Sequence, residues 1–282
     1  MTVSPVLQFW RAALLGLNMI LVFFVQKPAM WLRLPAADVI PHRWHGISAR
    51  IFGIKVTRRG EPARGGPLLV VANHVSYLDV LALGSVVNGS FVAKAEIADW
   101  PMFGALCRLQ NTIFIERNAR AALAQRAELE SRLGSGDTLI LFPEGTSSDG
   151  MHMKPFKSTL FSVAGIEVDG RPVPVQPVSI AYVRLDGLPL GRCFRPLYAW
   201  YGDMELMSHL WRALGMGRLE VEVTFHPPVT IADFASRKAM SDHCEAVIAA
   251  GVANSLAGRP ATSAHRPSGS EVVAAKPAAV AS

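Results

Sequence analysis

Apolar positions along the chain fall into two regimes. The first is a single long run: residues 12–26, AALLGLNMILVFFVQ, carry no charge and lie between Arg11 and Lys27. As a helix this run spans about 22 Å, short of the roughly 30 Å hydrocarbon core of a bilayer. Extended back to Val3, it reaches spanning length only by including Arg11, whose stem can snorkel. A cleaved signal peptide fits less well, because the leading segment has one basic residue and QKPAMW stands where a small-x-small cleavage site belongs. The run is therefore read as an uncleaved membrane anchor or interfacial helix. Arg33, His42, Arg43 and Arg50 follow it, and the positive-inside tendency places the downstream domain on the cytoplasmic face of the inner membrane.

The second regime begins near residue 51. Short apolar or β-branched runs at 68–72, 91–93, 112–115, 138–142, 174–182 and 219–225 have the length and composition of strands. Helical patterns lie between them, clearest in ARAALAQRAELESRL at 119–133. This alternation predicts an α/β fold: a single, mostly buried β-sheet flanked by helices, with an N-terminal hydrophobic, membrane-associated helical segment. From Gly258 onward Ala, Ser, Pro and Val dominate without period, which predicts a disordered tail. The expected organisation is thus a membrane segment at 1–50, a main domain at 51–257 and a tail at 258–282.

Composition narrows the partners. Charged residues make up 18% of the chain, below the roughly 25% of soluble domains, and the mean hydropathy is +0.27. The formal charge is +6, yet no dense Lys/Arg run interleaved with aromatics exists, so a membrane surface and acidic substrates are expected and nucleic acid is not. Cys107, Cys193 and Cys244 are odd in number and form no CxxC or Cys/His ligand spacing. Neither a disulfide framework nor a metal site is expected.

The candidate chemistry sits where strands end. The stretch VANHVSYLD at 71–79 runs an apolar strand into Asn73-His74 and places Asp79 five residues beyond the histidine. Two readings share this geometry. Ser76 and Asp79 have the spacing of a capping box, with Ser76 as N-cap and the acid at the third helical position. Alternatively, His74 occupies the carboxyl end of a strand, where open α/β sheets bind ligands, and Asp79 folds back to orient its imidazole as a general base. Two further strands end on polar residues: NTIFIER on Arg117, a fork-shaped anion binder, and LILFPEGT on Glu144, with Gly145 relieving a tight turn. In VPVQPVSIAY at 173–182, Pro177 marks a sheet edge or a bulge.

Together these segments resemble the glycerolipid acyltransferase family typified by bacterial 1-acylglycerol-3-phosphate acyltransferase. Its four blocks stand here in order as Asn73-His74 to Asp79, Ile113 to Arg117, Phe142 to Thr146, and Val173-Pro174 to Pro177. The resemblance covers about residues 50 to 230. It implies an O-acyltransferase that moves a fatty acyl group from a thioester to the free hydroxyl of a lysolipid, with 1-acyl-sn-glycerol-3-phosphate as the first-ranked acceptor and lyso-ornithine lipid as the alternative. His74 and Asp79 are the implied catalytic pair. Asn73, Arg117, Glu144, Gly145 and Thr146 are the implied substrate-binding residues, acyl-CoA or acyl carrier protein is the donor, and no further cofactor is expected. The residue after Glu-Gly-Thr is often arginine in the family, whereas here it is Ser147. FPEGTSSDG is similar to the branch that acylates lyso-ornithine lipid, whose head group has no phosphate, and Lys154 and Lys157 are candidates to replace the charge. An inactive lipid-binding protein ranks below these readings because His74, Asp79 and Glu144 are all present.

Overall fold

The computed structural model describes residues 3–116 and 122–259; Arg117 and residues 260–282 of the expected tail lie outside them. The N-terminal run is longer than its uncharged centre. Helix α1 (Pro5–Trp31) starts at the Ser4 cap and continues past Lys27 and Pro28 to Trp31. After α2 (Ile40–Ile51) come β1 (Ile54–Arg59), β2 (Leu68–Ala72), α3 (Leu78–Gly84), β3 (Ser90–Lys94), α4 (Phe103–Leu109), β4 (Ile113–Ile115), α5 (Ala122–Gly134) and β5 (Thr138–Leu141). A small hairpin, β6 (Glu167–Val168) and β7 (Arg171–Pro172), precedes the long β8 (Val175–Leu185) and short β9 (Leu188–Pro189). Helix α6 (Leu206–Leu214), β10 (Leu219–Phe225) and α7 (Arg237–Leu256) complete the order.

The sheet runs β1-β10-β8-β2-β5-β3-β4, with β9 attached to β8. Strand β2 pairs in parallel with β5 and β8, and β3 in parallel with β5 and β4. The carboxyl ends of β2, β3, β4 and β5 therefore share one rim. All of β2 is buried, and its side chains alternate between two cores. Leu68, Val70 and Ala72 pack with α2 and α3 residues such as Ala49, Leu78 and Ala82. Leu69 and Val71 pack on the other face with Leu133 of α5 and Met240 and Ile248 of α7. Burial on both faces is what makes parallel strands read as continuous apolar runs.

Pro177 corrects an expectation. It lies in a central strand, opposite Val71 of β2, and at no edge. Its carbonyl faces the other neighbour, accepting from the His226 amide at 3.0 Å. In an extended strand the N–H of a residue points to the same side as its C=O. The missing proline N–H therefore faces the His226 carbonyl, just past the last β8–β10 partnership of Val178 with Phe225. The Gln176 side chain supplies the donor instead, its Nε2 reaching the His226 carbonyl at 3.0 Å, so a proline is tolerated in mid-sheet.

Candidate active site

Strand β8 outruns β2, and this length difference builds the site. The last β2–β8 partnership is Ala72 with Val178, while β8 continues to Leu185. Asn73 carries the ladder one step further with its side chain: Nδ2 donates to the Ile180 carbonyl at 3.0 Å and Oδ1 accepts the Ile180 amide at 2.8 Å. The turn that follows is then held from inside by Asp79, in the first turn of α3. Its Oδ2 accepts from His74 Nδ1 at 3.0 Å, the Val75 amide at 2.6 Å and the Ser76 amide at 2.9 Å. Its Oδ1 accepts from the Tyr182 hydroxyl of β8 at 2.6 Å.

Asp79 is fully buried, whereas the His74 side chain is 19% exposed. A buried carboxylate is costly unless its lone pairs are met, and here donors meet both oxygens. Because the carboxylate only accepts, the proton of His74 sits on Nδ1. The Nε2 lone pair has no partner among the described residues. The ring also stacks on Phe142, with centroids 4.1 Å apart and planes at 15°, which fixes its second degree of freedom. The capping-box reading is half right. Asp79 reaches back to the Ser76 amide as the acid of such a box does, but the Ser76 hydroxyl is buried without a partner, so the serine half is missing.

The turn after β5 braces the same loop. Gly145 takes φ +68 and its amide closes onto the Phe142 carbonyl at 3.0 Å, a conformation that favours glycine. This turns Glu144 inward, where Oε1 accepts the His74 amide at 2.6 Å and Oε2 the Lys154 amide at 2.8 Å. Burial pushes the Glu144 carboxyl up to about 7, against the opposing pull of those two amides. The Ser148 amide donates to the His74 carbonyl at 2.9 Å. Both backbone groups of His74 are thus held by 144–148, independently of its side chain.

Of the residues singled out in the sequence, His74, Asp79, Asn73 and Glu144 converge on this rim. Gly145 forms the supporting turn, and Thr146 is exposed beside it. Asn73 and Glu144 spend their polar atoms on the backbone of the site. Ser147 is buried, and its hydroxyl donates to the Trp200 carbonyl, whose own amide holds the Val75 carbonyl at 3.0 Å. Position 147 thus ties two loops together. No role in the site was read from the sequence for Tyr182, Phe142 or Trp200. The one signal was the alternation of Val178, Ile180 and Tyr182 along β8, which aims a tyrosine hydroxyl into a core where it must find an acceptor.

The arrangement is a carboxylate-held imidazole at an accessible strand end, with one nitrogen available to take a proton. Among the described residues no group of three or more His, Cys, Asp and Glu side chains has the geometry to hold a metal ion. Residues 53–181 match the model of the family described as Acyltransferase. Lyso-ornithine lipid O-acyltransferase of Brucella abortus is 43% identical over 224 residues, covering 78% of this chain and 84% of that protein. The 1-acyl-sn-glycerol-3-phosphate acyltransferase of Neisseria gonorrhoeae is 36% identical over 212 residues, covering 74% and 78%. The crystal structure of 1-acyl-sn-glycerophosphate acyltransferase from Thermotoga maritima superposes with a TM-score of 0.62 over 92% of this chain and 98% of that one. At 23% identity this last likeness concerns the fold.

Proposed function

We infer that this chain, which belongs to the acyltransferase family of lysolipid enzymes, acylates the free hydroxyl of lyso-ornithine lipid. The observation that carries acyl transfer is the Asp79-bound imidazole of His74, 3.0 Å from the carboxylate. Nε2 removes the acceptor hydroxyl proton as that oxygen attacks the thioester carbonyl. The new C–O ester bond forms, the C–S bond breaks, and the departing thiolate takes the proton back from the imidazolium. The acceptor is itself the nucleophile, so no acyl-enzyme is required. The donor is acyl-CoA or acyl carrier protein, both acidic partners for a chain of formal charge +6.

Two observations favour lyso-ornithine lipid over the first-ranked phosphate acceptor. Relatives with that printed activity reach 43% and 40% identity, against 36% for the glycerol-phosphate enzyme. In addition, the position that often holds arginine is Ser147, and its side chain turns inward to Trp200. Labelled acyl donor offered with lyso-ornithine lipid is expected to give roughly tenfold more product than with lysophosphatidic acid, a ratio within reach of one charged contact. The reverse ratio would establish the phosphatidic-acid reading, which the Neisseria relative supports.

Helix α1 supports a membrane location of a particular kind. Its stripe Gln8, Arg11, Asn18 and Gln26 faces the protein. Gln8 donates to the Trp211 carbonyl, Arg11 to those of Leu214 and Met216, Asn18 to the Ser48 hydroxyl, and Gln26 to the carbonyls of Ala37 and Leu109. Phe9, Trp10, Leu17, Ile20, Leu21 and Phe24 face outward. This is the reverse of a surface helix in water, and the outward face needs apolar surroundings. The helix is long and apolar enough to cross a bilayer. It is nevertheless bonded to the domain from Gln8 to Gln26, so we propose that it lies along the interface on the cytoplasmic side. Protease added outside spheroplasts should leave both an N-terminal and a C-terminal tag intact until lysis. Cleavage of the N-terminal tag alone would mean that α1 crosses the membrane.

A further inference from the structure

Asp79 is held from two directions, and only one belongs to its own loop. The donors at Oδ2 all come from residues 74–76 and are local. The donor at Oδ1 comes from a strand more than a hundred residues away in the chain: the Tyr182 hydroxyl at 2.6 Å. We propose that Tyr182 is a positioning residue of the reaction, its phenol setting both the rotation of the Asp79 carboxylate and the strength with which that carboxylate attracts the His74 proton. The inference rests on the reading of His74 and Asp79 as the general-base pair.

The geometry gives the phenol little other purpose. Tyr182 is buried between α3 and Tyr198, whose ring stacks on it with centroids 6.3 Å apart and planes at 16°. A phenylalanine fills the same space. The difference between the two is a single O–H aimed at the far oxygen of the carboxylate that carries the imidazole. Burial and the Asp79 charge hold the phenol proton in place well above its ordinary titration range, so Tyr182 donates at every pH at which the enzyme works. Charge on a carboxylate is shared between its oxygens, and a short donor at Oδ1 draws density away from Oδ2. A stronger Tyr182 donor makes Asp79 a weaker partner for the imidazolium, and a missing one makes it a stronger partner. The other titratable groups that face this pair are Glu144, from the turn after β5, and Tyr77, at the start of α3. Both stay unchanged in the variants below, so they do not contribute to the difference.

The test is the pH-rate profile of three proteins in lysolipid-containing vesicles, beside His74→Ala. In Tyr182→Phe the acidic limb of kcat is expected to move to higher pH, with kcat lowered roughly tenfold and KM for the lysolipid little changed. Replacing Tyr182 by 3-fluorotyrosine, which keeps the shape and strengthens the donor, should move the same limb to lower pH. Tyr198→Phe is the control, since the Tyr198 hydroxyl is buried in the same core without a partner. It should leave the profile where it is. A limb that stays put in both Tyr182 variants, while His74→Ala is inactive, overturns this inference and leaves the general-base reading standing. Full activity in His74→Ala overturns the general-base reading itself. Should Tyr182→Phe fail to fold, the 3-fluorotyrosine protein decides alone, because it removes no atom from the core.

Discussion

His74→Ala should lower acyl transfer by about 10³-fold or more while leaving the protein folded, a loss at the upper part of the range for a positioned general base. Without Nε2 the acceptor hydroxyl has no group to take its proton, and a neutral alcohol attacks a thioester slowly. Folding is protected by an unusual division of labour. The loop is held through the His74 amide on Glu144 and the His74 carbonyl on the Ser148 amide, neither of which involves the ring. Asp79 keeps the Val75, Ser76 and Tyr182 donors when Nδ1 is removed. The partly exposed ring adds only its stacking on Phe142. Initial rates with labelled donor, read beside a thermal melt, separate the two effects. A variant that stays within about tenfold of the parent would rule out His74 as the base, since even weak general-base assistance exceeds that.

Asp79→Asn carries the second large effect, and its reasoning is electrostatic. The amide is nearly isosteric. Its oxygen can accept from the Val75 and Ser76 amides and from Nδ1, while its NH₂ group turns toward the Tyr182 oxygen, which accepts through a lone pair once its own O–H has rotated away. The fold therefore survives, at a cost of about 1–3 kcal/mol for imperfectly met buried groups. The charge that stabilises the imidazolium does not survive. A neutral amide also no longer dictates which nitrogen carries the proton, so part of the population presents a protonated Nε2 to the acceptor. A fall of roughly 10²–10⁴-fold in kcat is expected, with KM for the lysolipid close to the parent value. If KM rises while kcat holds, Asp79 serves acceptor binding and the pairing with His74 is incidental to the chemistry.

How far the sequence revealed this site depends on how local each relation is. Asn73, His74 and Asp79 lie within one strand-turn-helix unit, where spacing alone brings a residue at the helix start back to the end of the strand. Glu144 was visible for a similar reason, since a glutamate straight after an apolar strand and before a glycine has few structural explanations. Its role was less visible. The chain does not announce that both Glu144 oxygens face backbone amides, because those amides belong to residues 70 positions before and 10 after it. Strand β1 went unrecognised because only Ile54 and Val56 of IKVTRR are apolar and its second half is polar throughout; it qualifies as a strand by pairing in parallel with β10. Pro177 misled in the opposite direction. A proline argues for an edge only if nothing else can donate in place of its missing N–H, and here the Gln176 side chain meets the His226 carbonyl.

By itself, then, the sequence determined the α/β class, the buried core strands, the apolar N-terminal helix and the spacing that can bring a carboxylate back to the histidine. Each of these is written in periodicity or in spacing of a few residues, the range over which backbone geometry is rigid. The tertiary structure alone decided three other matters. It placed Tyr182 on the far oxygen of Asp79, it turned Ser147 inward to Trp200, and it put the polar stripe of α1 against the domain with the aromatic side facing out. Contacts of this kind join residues tens to hundreds of positions apart. They follow from strand order, from β8 outrunning β2, and from which carbonyls at the ends of other elements lack a donor. None of these leaves a periodic trace in the chain, because the free energy that selects them belongs to the packed sheet as a whole.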